Sequence, residues 1–233
     1  MSVFTINGTV GSGTFGLGQL ISQKLDIDYV DRMVLAEAAK LVGSPVAALV
    51  EKEQRVVGFR ERVSRFLQTM LERSALSGVA GEPYFGHSLE MVPAETYDEL
   101  AGDASSSAQQ VNDEAFIQAT SLVIKDLAQA GNVVIIGRGS NMILRDTPGV
   151  FHVGLVAPLS LRVENIVNRE HLSGEEAAKY VADLEQAREA FFRKFFKVPA
   201  TDPTLYHVTI NMGRLSQEAA SALVLHAAQA AGV

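Results

Sequence analysis

Hydrophobic positions along the chain change their spacing repeatedly, and each change marks an element. Val3, Phe4 and Ile6 form a short apolar run that stops in GTVGSGTFGLG, and the pattern restarts with approximate helical spacing at Phe15, Leu17, Leu20, Ile21 and Leu25. This predicts a strand, a glycine-rich turn and a helix ending before Asp26. Ile27 to Val30 predict a second short strand, with Asp31 and Arg32 at its carboxyl end. Residues 33–42 predict a helix stopped by Gly43, and Ser44-Pro45 can start the next. From Glu51 to Leu76 a longer helical pattern turns Val56, Val63, Phe66 and Met70 inward and mixes arginine with glutamate elsewhere, the signature of a solvated face.

Over residues 77–110 the periodicity is lost among glycines, prolines and the serines 105–107, so a loop or small insertion is expected there. Regular spacing resumes at Asn112, with Phe116, Ala119, Leu122, Val123 and Leu127 on one helical face and Gly131 as the stop. Val133 to Ile136 are continuously apolar, as in a parallel strand buried on both faces, and run into Gly137-Arg138-Gly139. Val150 to Val156 predict a fourth strand containing His152, expected as a satisfied core or edge histidine. Pro158 then opens a helix carrying Arg162 and Arg169. Ser173 and Glu176 form a capping box for a helix reaching Phe196 that carries Arg188 and Arg193 beside Phe191, Phe192, Phe195 and Phe196, and the four phenylalanines are expected in the core rather than on a cofactor. His207 to Asn211 predict a fifth strand, and a helix follows from Ser216. Five strands alternating with helices, without an internal repeat, predict an α/β three-layer fold around a mostly parallel sheet.

The glycine turn is the first candidate for chemistry. A strand-to-helix junction built from glycine lets backbone approach a ligand closely, and a helix N-terminus offers unpaired N–H groups and partial positive charge, so phosphate is the expected guest. Two templates overlap there. Residues 11–16, GSGTFG, satisfy G-x-G-x-x-G with Asp31 following at a dinucleotide-like distance, whereas residues 8–13 give the G-x-x-x-x-G half of a P-loop. Arg138 is the second candidate, because a guanidinium at the end of a buried strand calls for an anionic partner.

Composition narrows the classes. The 233 residues are 47% hydrophobic and 20% charged, enough for one large domain with a core. The absence of cysteine excludes disulfides and thiolate metal sites. A net charge of −7 argues against a general nucleic-acid binder, although arginine outnumbers lysine 13 to 7. No leader pattern opens the chain, and no apolar run approaches the roughly 20 residues of a membrane helix, so a cytoplasmic protein without membrane or nucleic-acid partners is expected.

DYVDRMVL, VVIIGRGSNMILRD, LRVENIVNRE, EQAREAFFRKFF and YHVTINMGRLSQEA, in this order and spacing, resemble the cytidylate kinase-like proteins among the P-loop nucleoside monophosphate kinases. The resemblance covers nearly the whole chain except about 77–110. It implies a single P-loop kinase-like domain over 1–233, with 44–110 as an acceptor-side helical insertion and 160–197 as lid helices. It implies ATP with Mg²⁺ as donor and CMP or a related nucleoside monophosphate as acceptor. Gly8, Gly11, Ser12, Gly13 and Thr14 would wrap the donor phosphates, and Asn211 would lie near the donor base. Asp31, Arg32 and Arg138 would face the acceptor, while Arg162, Arg169, Arg188 and Arg193 would close over the transferred group.

The chain departs from the family pattern at three places. Thr14 stands where the P-loop lysine belongs, Phe15 where the magnesium-binding Ser/Thr belongs, and Gly139 where an acidic residue follows the arginine. Thr14 is the candidate magnesium ligand in their place, and Arg32 or a lid arginine the candidate replacement for the lysine. The helical arginines can equally pair with Glu164, Glu170, Glu185 and Glu189. Two further readings stay open: a nucleotide-binding sensor or partner protein with weakened catalysis, and a Rossmann-type dinucleotide binder.

Overall fold

The computed structural model describes residues 2–31 and 107–233, with side chains from residue 117 onwards in the second segment. The expectations for the helices within 33–76, for Arg32, and for the insertion up to residue 106 lie outside the described residues. The elements are β1 (Val3–Gly8), α1 (Thr14–Leu25), β2 (Asp28–Val30), α2 (Ser107–Ala130), β3 (Val133–Ile136) and α3 (Ser140–Ile143). They continue with β4 (Val150–Val156), α4 (Leu159–Glu170), α5 (Gly174–Phe196), β5 (Val208–Asn211) and α6 (Gln217–Ala230), a 3-10 turn at Pro203–Leu205 lying before β5.

The strands form one parallel sheet in the order β2-β3-β1-β4-β5. Period-two alternation divides its side chains between two cores. Phe4, Ile6, Val134, Ile136, Phe151 and Val153 pack on α1 and α6, while Val3, Val133, Ile135 and Val150 pack on α2 and against Leu144. Three layers follow because a parallel sheet buried on both faces needs helices on each.

The order of strands decides between the two glycine templates. In a dinucleotide-binding sheet the strand after the first helix lies beside the first strand. Here β3 separates β1 from β2, so Asp31 stands two strands away from the glycine turn. The G-x-G-x-x-G match is therefore incidental.

Two boundaries differ from expectation. α2 is already helical at Ser107, the first described residue of its segment, ahead of the expected Asn112, because serine is compatible with a first helical turn as well as with a loop. α3, a single turn after Gly139, has too few residues to give a periodic signal.

On the α2 side the sheet turns polar toward its carboxyl edge. Along β1 the residues facing that side run Val3, Thr5, Asn7, and along β4 their partners run Val150, His152, Gly154. Thr5 Oγ1 and His152 Nδ1 are 2.7 Å apart, and the His152 N–H donates to His207 Nδ1 at 2.9 Å. His152 is thus the satisfied core histidine expected. Burial, and secondly the nearby His207, push its pKa down to about 4.

A histidine depressed in the folded state remains neutral while the unfolded chain takes up a proton. Stability conferred by the neutral form is present above pH ~6.5 and falls as the pH drops toward ~4, by up to about 1.4 kcal/mol per pH unit. Urea midpoints measured between pH 7 and 4.5 should decline along this slope, and His152→Gln should flatten it.

Candidate functional site

The carboxyl ends of β1 and β3 open into a cleft, at the place where connections leave β1 and its neighbours in opposite directions. The glycine turn forms its floor, and Arg169, Leu184, Arg188 and Phe192 of α4 and α5 form the facing wall. At the turn, Ser12 N–H closes onto Thr9 C=O at 2.9 Å. Gly13 is the N-cap of α1 and provides no side-chain cap. The amino end of α1 therefore presents its first N–H groups and its dipole to the cleft, where Thr14 and Phe15 also lie.

The hydroxyls of Thr9 and Ser12 are buried and have no hydrogen-bond partner among the described residues. With the uncapped helix end, they make the turn a fit for a phosphoryl group. For Mg²⁺ the turn offers hydroxyls and no carboxylate, those of Thr9, Ser12 and Thr14, of which Thr14 stands at the start of α1 and lines the cleft. No cluster of three His, Cys, Asp or Glu suited to a metal occurs among the described residues, and Phe15 contributes no oxygen.

The turn is fixed by backbone contacts from outside. Gly11 adopts φ +80°, and a Cβ there would lie 2.5 Å from the Arg162 carbonyl oxygen. Arg162 Nε donates to Val10 C=O at 2.7 Å, and Asn165 Nδ2 donates to Gly11 C=O at 2.8 Å. Val10 itself packs among Ile166, Val181 and Tyr180 between α4 and α5.

One carboxylate completes this clasp. Glu185 Oε2 accepts from Val10 N–H at 2.8 Å and from Arg162 at 3.1 Å. Its other oxygen accepts from Arg188 Nε at 3.1 Å and from the Arg188 terminal nitrogen at 2.5 Å. Arg188 also reaches Glu189 at 3.5 Å and the Ala200 carbonyl at 3.5 Å. Burial lowers the pKa of Arg162, with Glu185 opposing and Arg188 adding to the effect. At Arg188 burial acts the same way, but Glu185, Tyr206 and Glu189 outweigh it and raise the value. Both guanidinium groups stay charged at neutral pH.

The remaining expected residues are distributed unevenly. Arg169 holds its guanidinium 5.2 Å over the Phe15 ring and pairs with Glu170 at 2.9 Å. Arg138 is 1% exposed and left-handed at φ 54°, between Gly137 and Gly139, which are left-handed too. A Cβ on Gly139 would run into the Phe196 ring. Asp31 directly follows β2. Arg193 is exposed and does not line the cleft. Asn211 is exposed, and its Oδ1 accepts from Gly213 N–H at 3.0 Å. The structure thus brings Gly8, Gly11, Gly13, Thr14, Arg169 and Arg188 together around one cleft, with Arg162 behind the turn.

Three contributors escape a reading of the sequence. Asn7, whose Nδ2 donates to Ser140 Oγ at 3.3 Å, and Asn165 lie in segments read only for apolar periodicity. Glu185 is legible as a counter-ion at helical spacing from Arg188, and its hold on the turn is not.

The sequence profile of the cytidylate kinase-like family matches residues 3–214. The cytidylate kinase of Pyrococcus horikoshii is 29% identical over 99 residues, 42% of this chain and 50% of that protein. That of Aeropyrum pernix is 27% identical over 108 residues, 46% of this chain and 62% of that protein. The chain thus spans about half the length of the curated relatives it matches. A crystal structure of an uncharacterized protein from Eubacterium ventriosum superposes with a TM-score of 0.63 at 12% identity. The superposition covers 98% of this chain and 99% of that one, a likeness of fold.

Gly11→Ala would force a side chain into the left-handed region and against the Arg162 carbonyl. It should cost about 1–3 kcal/mol in urea unfolding and weaken retention on an immobilised triphosphate, whereas Gly149→Ala, equally left-handed but with open space around it, should leave retention unchanged.

Proposed function

The chain belongs to the cytidylate kinase-like family, and we propose that it transfers the γ-phosphoryl group of ATP to CMP or a related nucleoside monophosphate. One observation carries this reading: the uncapped amino end of α1 and the residues Arg169 and Arg188 line a single cleft. Phosphoryl transfer asks a protein chiefly for positioning and for positive charge around the equatorial oxygens. The turn supplies N–H donors from a backbone fixed at Val10 and Gly11. Arg188 lines the same cleft, and its planar fork, held by Glu185, would serve the phosphate once it turned from that carboxylate.

Arg169 is our candidate replacement for the missing P-loop lysine. Its seat on Phe15 orients the guanidinium through cation–π attraction while leaving it partly exposed at the cleft. Arg138, at the end of β3, and Asp31 and Arg32, after β2, would serve the acceptor. Asn211 would lie near the donor base, and Arg193 would approach the transferred group only if α5 moved. Mg²⁺, when bound, would supply positive charge that offsets the charge of the donor phosphates. Thr14 would be its protein ligand, in keeping with an ion that retains several waters. Apolar Phe15, Leu184 and Phe192 would keep bulk water from the transferred group.

A second reading, a nucleotide-binding sensor with weakened catalysis, draws on Phe15 and Gly139. The first removes an oxygen from the metal position. The second is filled by Phe196, so the acid typical of the family has no room there.

Thermal-shift measurements with ATP, GTP, nucleoside monophosphates and NAD(P), each with and without Mg²⁺, separate the readings, because stabilisation follows affinity for the folded state. ATP and a monophosphate should both raise Tm, and a coupled assay should register ADP release. Arg169→Ala should lower kcat by about 10²-fold with little loss of stability. Stabilisation without ADP release would favour the sensor, and a response to NAD(P) alone would end the kinase reading.

A further inference from the structure

Glu185 is a residue of α5 with an unusual set of donors. Its carboxylate accepts one backbone N–H from the glycine turn, at Val10, and side-chain donors from two arginines on different helices. Arg162 and Arg188 keep only 12% and 8% of their side-chain surface exposed. Two nearly buried guanidinium groups cannot share one place in the protein without an anion between them. A loop N–H, a terminal N–H of Arg162 and the Nε–terminal-nitrogen fork of Arg188 make a convergent donor set of the kind a tetrahedral phosphoryl group uses. Leu184, Arg188, Val10 and Gly11 all line the cleft, so this carboxylate stands at its border.

The geometry points to an oxyanion site formed by Val10 N–H, Arg162 and Arg188, occupied in this state by the chain's own Glu185 carboxylate, whose exchange ligand is the terminal phosphoryl group of a polyphosphate. The inference rests on the reading of the cleft as a phosphate site and adds how that site is regulated. The carboxylate neutralises the arginines and holds the turn in shape while no ligand is bound. An arriving phosphoryl group takes over the same donors, and Glu185 moves out. Part of the ligand's affinity is therefore spent on displacing an internal anion, which lowers its apparent affinity. The exchange is non-covalent and balanced in charge type, one oxyanion for another.

Chemical rescue tests it. Glu185→Ala should have a lower Tm than the wild type in chloride buffer, because two buried cations lose their counter-ion. Inorganic phosphate should restore it, with an apparent affinity about tenfold or more tighter than in the wild type. Sodium chloride at matched ionic strength should not. Adding Arg188→Ala to Glu185→Ala should abolish the phosphate response. If Glu185→Ala does not fold, Glu185→Gln keeps the volume, loses the charge and should show the same gain in phosphate affinity.

A variant whose phosphate response equals or falls below that of the wild type overturns the inference and leaves Glu185 a structural ion pair, and so does rescue by chloride. Failure of the kinase reading looks different: ATP then gives no stabilisation of the wild type, whatever phosphate does to the variants.

Discussion

The glycine turn between β1 and α1 has little intrinsic reason to keep one shape, and the rest of the site depends on its doing so. Glycine loses more conformational freedom on ordering than any other residue, and this turn has few side chains with which to anchor itself. The anchors come from α4 and α5, which grip the backbone of Val10 and Gly11 through Arg162, Asn165 and Glu185. Breaking a buried ion pair of this kind by removing one partner costs on the order of 3–5 kcal/mol. The helices that provide the arginine wall of the cleft thus also define its floor, so that loop and wall form one mechanical unit.

The sheet determines where that unit sits. Parallel strands send all their carboxyl ends to one edge. The α2-side face of β1 and β4 changes along its length from Val3 and Val150 to Thr5, His152 and Asn7. Apolar residues remain where the core needs them, and polar ones gather where the backbone opens to the cleft. The insertion of β3 between β1 and β2 brings Gly137 to the cleft and Arg138 to the next position, and it leaves Asp31 on the outer strand.

The departures from the family pattern have local physical explanations. Phe15 carries no metal-binding oxygen but gives Arg169 an aromatic seat. At Gly139 the left-handed backbone and the Phe196 ring exclude a side chain, and the acid of the family pattern is lost with the space it would need. Phe196 belongs to the aromatic cluster of α5 with Phe191, Phe192 and Phe195. Packing of the aromatic core of α5 and the backbone at the end of β3 are therefore linked.

Apart from the single turn α3, the order of the described strands and helices was legible in the chain because each is written in short-range terms: apolar runs, helical spacing, and punctuation such as the Ser173–Glu176 capping box, which the structure reproduces in full. The family resemblance, too, rested on linear order and spacing. The choice between the overlapping glycine templates was legible in part, since Gly11 stands four residues beyond Asn7, farther from its strand than a dinucleotide fold places its first glycine, and the pairing of β1 with β3, distant in sequence, agrees. The arginines were visible as types and not as partners. Whether a guanidinium faces a ligand, a carboxylate or a loop carbonyl depends on how two helices dock against a turn more than a hundred residues earlier. Sequence alone therefore determined which groups the site has to work with. Tertiary packing decided which of them meet, drawing Glu185 into the loop and leaving Arg193 and Asn211 at the surface, because such contacts follow from relative helix positions that no local pattern encodes.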